Sequence, residues 1–133
     1  MLDADLHHVS LPLRDLARPS AFYERVFGLQ RIARPPSTSA RVWYGLGARQ
    51  LHLVEYAAGS FRTRGPDSAD THFALRTTDF EGWIAHLTAL GFREDVPDTD
   101  ANHLLVKRTG LAGFPQLFLT DPDRNTIEIN AAP

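Results

Sequence analysis

Two stretches of the chain alternate apolar and polar residues, and each is followed by an amphipathic segment. Residues 6–13 and 71–77 show the period of two that is typical of a strand with one buried face. After the first stretch, apolar residues recur at helical spacing up to Gly28, a residue type favoured just past a helix C-terminus. The pattern therefore predicts a strand followed by a helix in each half, with the second helix over 80–90.

The remaining apolar stretches predict short strands. In the first half these lie near 29–34, 40–46 and 50–56, and in the second half near 92–96, 103–108, 115–120 and 126–130. Residues 121–125, Asp-Pro-Asp-Arg-Asn, have the composition of a turn between the last two strands. Strands beside helices in this order predict an α+β fold.

The two halves match each other, which indicates an internal duplication. Three pairs of residues align at one constant offset: His8 with His72, Leu11 with Leu75, and Asp15 with Asp79. The match predicts modules at about 1–58 and 70–133, joined by a linker at about 59–69 that is rich in Gly, Ser, Pro and charge. Because one module is too small to bury its sheet face alone, we expect a single domain over 1–133.

Four predicted strands place side chains with metal-binding or acid–base chemistry on the face opposite the helices. These side chains are His8, His52, His72 and Glu128. His8 and His72 also occupy equivalent positions of the two halves. Two neutral imidazoles and one carboxylate suit a divalent metal that keeps open positions for water or substrate oxygens. A solvated strand residue is the alternative interpretation of each.

Composition narrows the classes of function. No cysteine occurs among the 133 residues, which excludes disulfides, thiolate catalysis and iron–sulfur clusters, so that a metal site must use His, Asp or Glu. The formal net charge of −2 gives no basic surplus for nucleic acid. No apolar run reaches the ~18 residues of a membrane span, and the acidic start lacks signal-peptide features. We therefore expect neither a nucleic-acid nor a membrane partner, and a cytoplasmic location.

The residues also carry a family resemblance. HHVSLPLRDLARPSAFYERVFGL, over 7–29, resembles the opening of the vicinal oxygen chelate superfamily, which includes glyoxalase I, bleomycin-resistance and ring-cleaving dioxygenase families. QLHLVE at 50–55, THFAL at 71–75 and DPDRNTIEIN at 121–130 are similar to further segments in the same order. The resemblance implies two βαβββ modules that form an open, U-shaped mixed β-barrel with flanking helices. It also implies a homodimer.

The same resemblance implies a divalent metal ion (Zn, Ni, Mn or Fe) with ligands at His8, His72 and Glu128. The fourth ligand position of the superfamily falls on His52, where glyoxalase I has a Glu that binds metal and helps to move the substrate proton. A fourth ligand and a base are both open roles for His52. We expect His52 and Glu128 to be the catalytic residues, and a His near its reference pKa of ~6.5 suits proton transfer.

Substrate contacts are predicted at Ser10 and Arg76. Ser10 lies where the similar fosfomycin thiol transferases have a hydroxyl residue. Arg76 shares a strand face with His72 and can grip a carboxylate or phosphate, with an ion pair to Asp79 as the alternative. Trp43 is a further candidate, which could line a pocket or simply pack.

Two other arginine positions carry expectations about loops. Arg62 and Arg64, in the linker, could close over an anionic ligand, although a solvated loop is the favoured interpretation. Arg124 replaces the Gly that the family prefers in its turn, which predicts a changed turn type or a left-handed Asn125.

The resulting functional hypothesis is a metal-dependent, glyoxalase-like enzyme. Its chemistry would be lyase or isomerase type proton transfer on a small substrate that chelates the metal through vicinal oxygens. One alternative is a non-haem iron(II) dioxygenase-type enzyme, although the acid–base Tyr of that class would fall near Phe118, which has no hydroxyl. The other is a non-enzymatic protein that binds or sequesters a small molecule.

Overall fold

The computed structural model describes residues 2–132, and the chain divides into two compact units, one ending at Ser60 and the other beginning at Phe61. The first unit contains β1 (His8–Leu13), α1 (Ala17–Phe27), β2 (Arg41–Leu46) and β3 (Arg49–Glu55). The second contains β4 (His72–Thr77), α2 (Phe80–Ala89), β5 (Leu105–Lys107), β6 (Gln116–Thr120) and β7 (Thr126–Ala131). Two mixed sheets and two helices confirm the predicted α+β class.

The first unit is a three-stranded sheet with a helix. Its order is β1-β3-β2, with β1 parallel and β2 antiparallel to the central β3. Leu51 and Leu53 of β3 are fully buried, as are Leu13 and Tyr44 on the neighbouring strands. The helix ends as predicted at Gly28, whose φ of 64° is left-handed and whose N–H bonds the carbonyl groups of the last turn.

The second unit is a four-stranded sheet of order β4-β7-β6-β5. The central β7 is parallel to β4 and antiparallel to β6, and its Ile127 and Ile129 belong to the buried core. Asp79 begins α2, because its carboxylate accepts a hydrogen bond from the N–H of Gly82 at 2.9 Å. Of the helices formed by residues 2–132, none has the length and apolar character needed to cross a membrane.

Two of the predicted strands are wrong. Residues 29–34 make a single isolated bridge through Arg31, and residues 92–96 make one through Arg93. Prolines follow both segments and cannot donate a backbone hydrogen bond, so the ladder is not extended there. The βαβββ order is therefore complete only in the second unit, whereas the first has one strand fewer.

The turn between β6 and β7 differs from its expectation. The Asp121 carboxylate accepts from the N–H groups of Asp123 and Asn125, each at 2.9 Å. Arg124, and not Asn125, takes the left-handed conformation, with φ of 67°. Its guanidinium donates to the Thr99 carbonyl at 3.0 Å. This contact offsets part of the strain that a non-glycine residue carries there.

Candidate functional site

In the first unit, strand register brings three of the predicted site residues to one sheet face. Ser10 of β1 pairs with His52 of β3, and His8 pairs with Gln50, so that all four side chains point the same way. The rings of His8 and His52 stack, with centroids 4.1 Å apart and planes 17° apart. His8 is exposed, whereas His52 keeps only 7% of its surface accessible.

Trp43 extends this stack from the neighbouring strand. It pairs with His52 across β2 and β3, and the two rings lie 3.9 Å apart and nearly parallel, at 2°. Its indole Nε1 is buried and has no hydrogen-bond partner among residues 2–132. Trp43 was predicted only as a residue that lines a pocket or packs, and it contributes to a stack of three rings with one unused donor.

His52 is held in a neutral state by its surroundings. Burial lowers its pKa below the usual value, and the neighbouring His8, His7 and Arg41 lower it further. Its Nε2 lies 2.8 Å from Oε1 of Gln50. Because an amide oxygen only accepts, Nε2 carries the proton in this arrangement and Nδ1 keeps a lone pair. A neutral imidazole is the form that serves as a ligand or as a base.

In the second unit, His72 and Glu128 form a direct contact. Nε2 of His72 lies 2.9 Å from Oε2 of Glu128, and the Glu128 side chain is only 6% exposed. Nδ1 of His72 lies 2.7 Å from the backbone carbonyl of Asp70, which only accepts, so Nδ1 carries a proton. In a neutral imidazole, Nε2 then has a lone pair that faces a carboxylate oxygen. Two acceptor atoms at this distance need a hydrogen between them, on the imidazole or on the carboxyl group, or a metal ion that both of them bind.

The other oxygen of Glu128 is fixed by two amides. Oε1 accepts from Nε2 of Gln116 at 2.8 Å and from Nδ2 of Asn130 at 2.9 Å. The Asn130 Oδ1 accepts in turn from Nε of Arg76 at 2.8 Å. These bonds orient Oε2 toward His72, as outer hydrogen bonds commonly orient a metal-binding carboxylate. Sequence reasoning missed the contacts that Gln116 and Asn130 make with Glu128.

The linker supports His72 through Asp70. Arg62 binds the Asp70 carboxylate with two nitrogens, at 2.6 and 3.2 Å, and Arg64 adds a contact at 3.0 Å. Hydrogen bonds from Arg62, from the Thr71 N–H and from Arg64 hold the pKa of Asp70 well below its usual range. The loop favoured for this segment is present, and within it Arg62 is half-buried, with a side chain that is 29% exposed and paired with Asp70.

Arg76 and Phe118 flank the pair of His72 and Glu128. The Arg76 guanidinium lies 4.6 Å above the Phe114 ring and bonds Asn130, so the alternative pairing with Asp79 is not seen. The buried Phe118 ring meets the His72 ring edge-on, with centroids 5.5 Å apart. The Phe118 ring thus covers one side of the His72 imidazole.

Each unit supplies one pair of possible metal ligands. Taken unit by unit over residues 2–132, the His, Asp and Glu side chains form no group of three or more that could hold a metal ion. Imidazole and carboxylate are suitable ligands for zinc and similar ions. Two ligands at ~2.0–2.2 Å from one ion lie roughly 3 Å apart, so the contact between His72 and Glu128 fits a shared ion.

Comparison with known proteins identifies the family. Residues 5–129 match the sequence model of the Glyoxalase/Bleomycin resistance protein/Dioxygenase superfamily. A solved structure assigned to the glyoxalase family, from Bacillus anthracis, is 14% identical, with a TM-score of 0.78 and coverage of 100% of this chain and 98% of that one. Lactoylglutathione lyase from Agrobacterium tumefaciens is 20% identical, with a TM-score of 0.67 and coverage of 98% and 95%.

A bleomycin-binding protein in complex with bleomycin is also similar, at 18% identity, a TM-score of 0.69 and coverage of 98% and 100%. At these identities the solved structures show a shared fold. The sequence match spans nearly the whole chain and confirms the resemblance noted from its motifs. The chain belongs to the Glyoxalase/Bleomycin resistance protein/Dioxygenase superfamily.

Proposed function

We propose that this protein is a metal-dependent enzyme of the glyoxalase type. It would carry out lyase or isomerase type proton transfer on a small substrate with vicinal oxygens. The observation that carries the proposal is the contact of 2.9 Å between Nε2 of His72 and Oε2 of Glu128. Because the Nδ1 proton of His72 is committed to a carbonyl, its Nε2 is free to act as a ligand, and a divalent ion would bind both Nε2 and Oε2. The lactoylglutathione lyase neighbour supports the same class of chemistry.

His8, His72 and Glu128 would hold a divalent ion (Zn, Ni, Mn or Fe), with His52 as a fourth ligand or a base. Such an ion supplies Lewis-acid polarisation of substrate oxygens. Glu128 suits a ligand role because its two amide contacts leave one oxygen directed at His72. His72 suits it because its Nδ1 contact orients the ring.

The other residues of the proposal bind substrate or move a proton. His52 is neutral and nine-tenths buried, and a lone pair on Nδ1 would accept a proton from a substrate carbon. Its stacking between His8 and Trp43 restricts the ring to one orientation. Ser10, which pairs with His52, would contact the substrate. So would Arg76, which pairs with Asn130 in the row next to Glu128.

The test is elemental analysis of protein purified without chelator or nickel resin. We expect near-stoichiometric divalent metal in the wild type and its loss in His72→Ala and Glu128→Ala. His86→Ala, a change at an exposed helix position, is the matched control and should keep its metal. A wild type that stays empty after addition of zinc, nickel, manganese and iron(II) would overturn the proposal.

The role of His52 is tested separately in the metal-loaded protein. Proton transfer exchanges a substrate C–H with solvent, so the wild type should incorporate deuterium from D₂O into 2-hydroxycarbonyl probes. His52→Ala should lose this exchange 10²–10⁴-fold, the usual contribution of a general base. Loss of exchange with retained metal marks a base, whereas loss of both marks a ligand.

A second candidate function is small-molecule binding without turnover. The stack of His8, His52 and Trp43, with its unpartnered indole N–H, suits a flat ligand that offers an acceptor. The bleomycin-binding neighbour has a binding function of this kind. Quenching of Trp43 fluorescence by a ligand in metal-free protein would favour it. No observation favours the iron(II) dioxygenase alternative, and Phe118 lacks the hydroxyl that chemistry would use.

The homodimer and the cytoplasmic location that the resemblance and the sequence imply are part of this proposal. Sedimentation velocity should give about twice the 14.8 kDa mass of the chain. A monomer at micromolar concentration would overturn the dimer and leave the metal chemistry unaffected.

A further inference from the structure

Strand register aligns four polar side chains across the whole second sheet. Arg76 pairs with Asn130, Asn130 with Gln116, and Gln116 with Lys107. Directly paired residues project from the same face, so these four residues form one row, which we call the polar row. The adjacent row on that face contains Glu128 and Phe118, which also pair. The polar row therefore runs beside the proposed metal ligand.

Both ends of the polar row are cations without a carboxylate partner. Lys107 donates to the Ser68 hydroxyl at 2.5 Å and lies 6.0 Å from the centroid of the Phe118 ring. Arg76 contacts the Asn130 amide and the Phe114 ring. Among residues 2–132, no carboxylate oxygen lies within 4.0 Å of either cation. Lys107 is also the single lysine of the chain.

A cavity of about 930 Å³ opens at the Lys107 end of the row. This volume is at the upper end of the range for small-molecule sites. Its wall includes Ser68, Lys107, Arg108, the loop 109–113, Phe114 and Gln116. Gln116 connects the cavity to the proposed site, because its amide donates to Glu128 at 2.8 Å. A molecule in the cavity would thus lie next to the residue that orients Glu128.

Arg108, in the same cavity wall, is a cation that does have a carboxylate partner. Its two terminal nitrogens lie 3.2 and 3.3 Å from the two oxygens of Glu94. Lys107, the preceding residue, is half-buried and has only a neutral hydroxyl and an aromatic ring as partners. A half-buried ammonium has lost hydration that an anion can replace with a charge-assisted hydrogen bond.

We infer that this cavity binds an anionic, oxygen-rich group, a carboxylate or a phosphate, with Lys107 as its principal contact. Arg76 anchors the other end of the polar row. The assignment of that group to the substrate rests on the proposed function: the reacting oxygens belong at Glu128 and the anionic end at Lys107. Binding of the anion itself does not depend on the metal.

The single lysine makes a direct test possible. Protein labelled at lysine gives one side-chain resonance, from Lys107, which is followed by NMR during titration with sodium phosphate or sodium acetate at constant ionic strength. We expect a saturable shift that sodium chloride does not produce. The probe that saturates at the lower concentration tells whether the site prefers phosphate or carboxylate. A linear shift, or an equal one with chloride, overturns the inference.

Variants separate the specific contact from general charge. Lys107→Gln should weaken anion binding about tenfold or more, read from the backbone resonances of loop 109–113. Arg108→Gln removes the same charge from the same wall and should change the affinity less than twofold. Equal losses in both variants would overturn the role of Lys107. His72→Ala should bind the anion normally, so a missing metal site and a missing anion site are told apart.

Discussion

The two sheets pair their first and last strands in the same register, but different side chains occupy the equivalent positions. His52 pairs with Ser10, two residues after His8, whereas Glu128 pairs with Ala74, two residues after His72. His52 and Glu128 therefore hold equivalent positions. An aromatic residue lies opposite each of them, Trp43 in the first sheet and Phe118 in the second.

The neighbours decide what each position can do. Around His52 there are rings, which bury it, and neighbouring basic groups, which disfavour its protonated form. Around Glu128 there are amides from Gln116 and Asn130, which stabilise a buried carboxylate. A repeated backbone frame thus sets where a side chain points, while the adjoining side chains set its chemical surroundings. The same frame can therefore hold an imidazole among rings in one sheet and a carboxyl group among amides in the other.

The largest expected effect comes from exchanging the two residues. Glu128→His should lower zinc affinity at least about 100-fold, because it removes the negative charge that would balance the ion. This loss exceeds the usual effect of changing a residue that only hydrogen-bonds to a metal ligand. His52→Glu should keep stoichiometric zinc, since carboxylate and imidazole are both ligands. Competition with a chromophoric chelator measures both affinities.

The effect of His52→Glu can also be measured on the stability of the metal-free protein. In metal-free protein, His52→Glu buries a carboxylate beside the Trp43 ring and should lower the free energy of unfolding by about 1–3 kcal/mol. Added zinc should restore that loss. A Glu128→His protein with wild-type zinc affinity would show that the two positions are interchangeable and would refute the comparison.

The hairpin turns offer a second, smaller contrast. The turn after β2 places Gly47 at φ of 59°, while the turn after β6 places Arg124 at φ of 67°. Arg124→Gly and Arg124→Ala both lose the bond to the Thr99 carbonyl, but only the glycine accepts positive φ without strain. In urea unfolding, the glycine variant should therefore be more stable than the alanine variant by about 1 kcal/mol. Equal stabilities would show that the turn relaxes.

The smallest expected effect concerns a polar contact that only the first core has. Tyr44 and Leu119 lie at equivalent positions, but the Tyr44 hydroxyl donates to Glu24 at 3.0 Å. Hydrogen bonds from Arg31 and then from Tyr44 lower the pKa of Glu24 below 4.5. Glu24 therefore stabilises the fold above pH ~4.5, and this contribution is lost as pH falls through the lowered pKa.

Glu24→Gln should accordingly cost about 0.5 kcal/mol at pH 7, a value kept small because the side chain is 38% exposed. In urea unfolding, the difference from wild type should shrink as the pH falls below ~4.5. Glu55→Gln, at the exposed end of β3, is the control for the change from a carboxylate to an amide. A Glu24→Gln cost that is unchanged in acid would contradict the assignment.

Much of the fold could be predicted because its signals are local. The alternation over 6–13 and 71–77, the helix end at Gly28 and the cap at Asp79 each depend on a few adjacent residues. The strand predicted at 29–34 failed because a strand also needs a partner that continues, and only one bridge forms there. Local alternation indicates a strand, but it does not show whether a neighbouring strand continues alongside to form the hydrogen bonds of a sheet.

The candidate site could be predicted only in part, for the same reason. The repeat drew attention to His8 and His72, whose roles as ligands stay predictions. The contact of Gln116 with Glu128 depends on how β6 pairs with β7, and the place of Lys107 depends on how β5 pairs with β6. These long-range registers leave no mark in the residues around each position. The contact of Arg62 with Asp70 could not be predicted, because the linker has the composition of a solvated loop.

The pairing of first and last strands has a consequence for how the protein is made. In each unit the first strand pairs in parallel with the last, so the pairing must wait until the chain between them has folded back. The hairpins β2–β3 and β6–β7 are local and form faster. His72 and Glu128, 56 positions apart, lie on the two strands that meet last in their unit. A nascent chain with its hairpins complete but β4 still unpaired has no contact between His72 and Glu128, so this contact forms only as the second sheet closes.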